Sequence, residues 1–246
     1  MKKIIIAGFV AVSLVAVSAR AQTIVQWNFE TAGDTNGLVL APGAGNSPGN
    51  VAADIDVPGG SLATGKHTTT STYSTPAGDV DPTLSTPATS PSLHAFSANG
   101  WSVGDYWQFT TSTLGDTGVN VAWDQSGSGT GPQFFSLQYS NALTGGAFVT
   151  LAGPLSIGTA ASTWNTTTAG QLSTNAPGGG ALDNSSVIIF RLVDTSTTAI
   201  TGGTVASGGT DRVDNFTVFA VVPEPSTVAL VAAGLIGMVA MRRRRS

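Results

Sequence analysis

The amino-acid sequence predicts an all-β body, built as a single antiparallel β-sandwich or barrel. Three observations lead there. Apolar and polar residues alternate in short runs separated by turn signals. No 3.6-residue apolar period lasts three turns. The 31 glycines and 12 prolines, with frequent Ser, Thr and Asn, punctuate the chain too often for long helices. Residues 22–221, between two apolar ends, suit one all-β domain in length.

The chain opens on Met1-Lys2-Lys3, a basic leader, followed by an apolar stretch from Ile4 to Val17. Ala19-Arg20-Ala21 fits a small-x-small cleavage box, so residues 1–21 read as a secretory signal peptide cut before Gln22. Thr23 to Glu30 is the first strand, with Val25, Trp27 and Phe29 on one face and Gln26 and Asn28 on the other. Residues 31–92 hold few large apolar side chains and many turn residues. They read as loop-rich, with weak strands near Ile55 and Leu62.

Beyond them the pattern sharpens. His94 to Ser97 leads into a turn at Asn99-Gly100-Trp101. Tyr106 to Ser112 carries Trp107 and Phe109 on one face. Val119 to Gln125 aligns Val119, Val121 and Trp123, and Gln133 to Ser140 aligns Phe135, Leu137 and Tyr139. Phe148 to Leu151 and Trp164 to Thr168 are further strands. Val187 to Asp194 is the most apolar run, which places it centrally, with Ile188, Phe190 and Leu192 on one side. Arg212 to Val221 closes the body and packs Phe216 and Val218 inward.

Charge narrows the function. Residues 22–221 hold three bases (Lys66, Arg191, Arg212) and thirteen acids, so 3 − 13 = −10. Such a surface repels phosphate backbones and argues against a nucleic-acid partner. There is no cysteine, hence no thiol chemistry and no disulfide. The two histidines, His67 and His94, lack metal-ligand spacing. No nucleophile elbow, phosphate loop or dinucleotide fingerprint occurs. Most acids are single aspartates beside Gly, Pro or Asn, which is turn chemistry. The expectation is a protein that is not an enzyme, with a glycan hydrolase as the weaker alternative. Among the aromatics, Trp101 and Trp164 adjoin turns and are the candidate exposed platforms for a sugar. The Thr runs at 68–70 and 166–168 would alternate faces on a strand and make no flat ice-binding array.

The other apolar end is Val228 to Met241, fourteen residues without a charge. That is short against the ~20 residues needed to span a bilayer core. Arg242, Arg243, Arg244 and Arg245 follow and would keep the C-terminal side cytoplasmic. Pro223 and Pro225 stop a helix from extending backwards, leaving Pro223-Glu224-Pro225 extended and readable by a processing enzyme.

This order of Pro-Glu-Pro, short apolar helix and Arg cluster over residues 222–246 resembles the PEP-CTERM sorting signal of Gram-negative bacteria. The same tail is also catalogued as an ice-binding protein C-terminal domain, a label that is no evidence of ice binding. The resemblance implies that Pro223, Glu224 and Pro225 are recognised by an exosortase. It also implies passage through the secretion machinery, a transient stay in the inner membrane, and a final place at the cell surface or in the extracellular matrix.

The phrases Trp27-Asn28-Phe29-Glu30, Gly104 to Phe109, Ser128 to Ser140 and Arg212 to Val218 follow each other as in jelly-roll domains of such surface proteins. The resemblance implies a jelly-roll-like sandwich with a structural or adhesive role. Non-catalytic carbohydrate-binding modules are similar in architecture, so exopolysaccharide is the implied alternative ligand. In such modules an acid ending the first strand and an aspartate in the last strand help hold a structural calcium. Glu30 and Asp214 stand at the matching places, although Asp214 could equally pair with Arg212 or cap a turn.

Overall fold

The computed structural model describes residues 20–29, 51–67, 72–74, 95–164 and 180–222. All regular structure in them is β, with no helix among the described residues. Residues 1–19 of the expected signal segment, the apolar tail and its arginines lie outside them, while Arg20 and Ala21 of the expected cleavage box open the first strand. The compact body runs from Ala21 to Val221, and Met1–Arg20 and Val222–Ser246 fall outside it.

Twelve strands follow in order: β1 (Arg20–Trp27), β2 (Val51–Ala52), β3 (Ile55–Asp56), β4 (Leu62–Lys66), β5 (Thr72–Ser74) and β6 (Ala95–Asn99), then β7 (Tyr106–Thr111), β8 (Asn120–Gly127), β9 (Phe134–Asn141), β10 (Val149–Ser156), β11 (Ile188–Asp194) and β12 (Thr210–Val222). They form two sheets. The first runs β3-β1-β12-β6-β5, with β8 also on β12, and the second runs β10-β9-β11-β7-β4-β2. The central place expected for the most apolar run is where β11 lies, paired with β9 on one side and β7 on the other.

Alternation decides which face each strand of the second sheet buries. In β7, Trp107, Phe109 and Thr111 are buried while Tyr106, Gln108 and Thr110 are half-buried. In β11, Ile188, Phe190 and Leu192 are buried, and Val187 just before it is 55% exposed. The first sheet departs from that expectation. Every residue of β8 is buried, polar Asn120, Asp124 and Ser126 included. Gln26, expected on an outer face, is also fully buried.

The core joins the sheets through aromatic rings. Phe216 of β12 stacks on Phe109 of β7 with centroids 3.6 Å apart and planes 4° apart. Trp27, Trp123 and Phe190 surround Phe216 at 6.0–6.3 Å. Burying a ring of this size contributes roughly 1.5–3 kcal/mol. A second cluster gathers Phe29, Phe96, Trp101, Trp107 and Phe135.

Residues 31–92 supply more strand than their composition suggests. The weak strands near Ile55 and Leu62 are β3 and β4, and β2 and β5 join them. Trp164 ends a described stretch and lies in no strand, and residues 165–168 of that expected run lie outside the described residues.

Candidate functional sites

The first candidate lies where β12 bends. Asp214 faces Asp124 across the β8–β12 pair, and the register slips between Asp214 and Thr217. Asn215 takes φ 50°, a left-handed conformation that Asn tolerates better than most residues. Its Nδ2 donates to Asp124 Oδ2 at 2.9 Å, and its backbone N–H donates to Asp214 Oδ1 at 2.7 Å. Asp124, Asp214 and Asn215 are all fully buried. Asn215 Oδ1 is buried with no hydrogen-bond partner.

Glu30, the other expected ligand, lies outside the described residues, but the residue before it is fixed. Asp54 Oδ2 accepts the backbone N–H groups of Asn28 (2.7 Å) and Phe29 (2.9 Å), holding Phe29 at φ 56°. Phe29 stacks on Phe96, whose backbone pairs with Val213, the neighbour of Asp214. The donors near Asp214 are hard oxygens, as calcium requires. Among the described residues no third acid or histidine joins this pair as a metal cluster.

The second candidate is a polar chain through the core. Trp107 Nε1 of the second sheet donates to Asp211 Oδ2 of the first at 2.6 Å. Gln125 Nε2 donates to both oxygens of Asp211 at 3.0 and 3.2 Å, and Trp123 Nε1 donates to Gln125 Oε1 at 3.1 Å. Burial raises the Asp211 carboxyl well above the usual carboxylate range, against the pull of the Trp107 and Gln125 bonds. Asp194 is pushed up to about 6 by burial, opposed by the Ser196 N–H and reinforced by the charge of Asp105. Its Oδ2 is buried without a hydrogen-bond partner. Both carboxyls are buried, and the Trp107–Asp211 bond ties the two sheets together. His67 is buried too, packed against Trp101 and Trp107 at 5.4 and 5.3 Å.

Of the two expected sugar platforms, Trp101 is corrected by its burial. It is 5% exposed, donates Nε1–H to Ala98 O at 2.8 Å, and packs edge-on against Trp107 and Phe135. The turn at Gly100 (φ 73°) folds the ring inward instead of presenting it. Trp164 is half-buried. Sequence reasoning missed Asp124 and Asn215 beside Asp214, because strand parity says nothing about which strand pairs with which. It also missed Arg191, whose outward position in β11 was legible from its neighbours Phe190 and Leu192.

Pro223, Glu224, Pro225 and Arg242–Arg245 lie outside the described residues, so the comparison with family models carries the tail. No curated protein and no solved structure matches the chain significantly. One family model does, the PEP-CTERM protein-sorting motif, over residues 221–245. The chain thus carries a PEP-CTERM sorting motif, the mark of an exported protein that is handed to an exosortase.

Proposed function

We propose that this protein is placed at the cell surface or in the extracellular matrix after an exosortase removes its tail, and that its body is structural or adhesive. The observation that carries the reading is the sorting-motif match at residues 221–245. Two antiparallel sheets around a shared aromatic core support a β-sandwich body of the jelly-roll kind. No residue is given a catalytic role, and the buried setting of Asp194 and Asp211 favours a structural use of both. Replacing Pro223, Glu224 and Pro225 together by Ala tests the sorting step. The variant should keep its tail and stay in the membrane fraction of its native host. Release of the variant as efficient as that of the parent would remove these residues from the recognition event.

A structural calcium at Asp214, with Glu30 as the partner acid, is a second proposal about the body. The unpaired buried Oδ1 of Asn215 beside Asp124 and Asp214 favours it. These residues would supply carboxylate and amide oxygens, and the ion would fasten the end of β1 to β12. Exopolysaccharide is the proposed partner of the adhesive body.

A further inference from the structure

The outward face of the second sheet differs in charge from the rest of the body. The six strands β2, β4, β7, β9, β10 and β11 contain one acid, Asp194, and its side chain is buried inward. The same strands carry two of the three bases of residues 22–221, Lys66 and Arg191. In a body of net charge −10 the bases are concentrated where the acids are missing.

Register places a row of hydrogen-bonding side chains across this face. Thr64 pairs with Gln108, Gln108 with Arg191, Arg191 with Gln138, and Gln138 with Thr150. Strand spacing sets these positions ~4.8 Å apart. Arg191 lies at the middle of the row. Its guanidinium carbon sits 3.9 Å from the Tyr106 ring centroid and 3.7 Å from that of Phe148. Its Nε donates to Gln108 Oε1 at 2.8 Å.

Two rings and one amide thus hold the guanidinium in place. Its terminal N–H groups take no carboxylate or carbonyl among the described residues. A planar cation held by its faces presents its edge, and that edge matches the two oxygens of a carboxylate. Burial lowers the Arg191 pKa somewhat, yet an arginine keeps its charge at any physiological pH.

We propose that this face binds an acidic polysaccharide, with Arg191 taking a uronate carboxylate and Thr64, Gln108, Gln138 and Thr150 flanking it along the chain of sugars. The proposal rests on the adhesive reading above and names its ligand class. Lys66, exposed at the end of β4, adds positive potential that it shares with the charge of Asp105.

The test is binding of the exported protein to polygalacturonate, dextran sulfate and neutral dextran, measured by titration calorimetry at low and physiological salt. The parent should bind polygalacturonate, more weakly as salt rises, and should not bind dextran. Arg191→Gln should weaken binding about tenfold or more, as expected on losing a charge-assisted pair. Arg191→Lys should recover only part of it, because the fork is lost while the charge remains. Gln138→Glu sets a carboxylate beside Arg191 and should weaken binding at least as much with the fold intact, which covers the case of an unstable Arg191→Gln chain. Equal binding by parent, Arg191→Gln and Gln138→Glu would overturn the assignment, as would a preference for dextran sulfate. Binding of neutral dextran alone would overturn the acidic site and leave polysaccharide adhesion standing. Binding to none of the three would overturn the site and count against polysaccharide adhesion as well.

Discussion

Asp194 carries a pH dependence in a single side chain. An exposed aspartate titrates near 3.9, whereas burial holds this one up to about 6. The folded protein therefore binds more protons than the unfolded chain between those values. The contribution is fully present below about 3.9 and is lost as pH rises through about 6. Its size is at most about 3 kcal/mol, from a shift of about two units. Asp211 and Asp105, both raised chiefly by burial, act in the same direction. Urea unfolding of the parent and of Asp194→Asn from pH 4.5 to 7.5 checks this. The stability of the parent relative to the variant should fall across that range. A constant difference would show that Asp194 does not titrate as its surroundings imply. None of this was legible in the sequence, where Asp194 is one more aspartate closing a strand. The contact that sets Trp107 against Asp211 spans 104 residues of chain.

Single strands were easier to read than their pairings. The alternation of Trp107 with Phe109, and of Ile188 with Phe190 and Leu192, gave both the strands and their buried faces. In β8 the pattern gave the strand and the burial of Val121 and Trp123, and missed the burial of the polar residues between them, because alternation carries no information once both faces are buried. It also failed at β2 and β5, which are too short for a period to register. Trp101 was misjudged because a turn beside a residue says nothing about the direction in which the turn points the ring. The bend of β12 at Asp214-Asn215 was half legible. Asp214 stood out in the sequence, while its facing Asp124 emerged only from the register. If calcium occupies this bend, chelation with EDTA should lower the melting temperature by several degrees, and added calcium should restore it. Asp214→Asn should remove that response. A melt that does not move on chelation would assign the buried oxygens to protein contacts alone.

At the scale of the whole molecule, charge and function divide along the chain. The body is acidic, while four of the ten bases sit together at Arg242–Arg245. Positive charge beside a short apolar stretch orients a segment at a membrane. The tail was the most legible part of the sequence, because its meaning rests on the order of three local features and needs no tertiary contact. The row from Thr64 to Thr150 was the least legible, because it brings together residues from five strands. Mass spectrometry of the C-terminal peptide of mature protein from its native host tests the sorting account most directly. The account predicts a peptide ending within Pro223–Thr227, with residues 228–246 absent. A mature chain that still ends at Ser246 would contradict it.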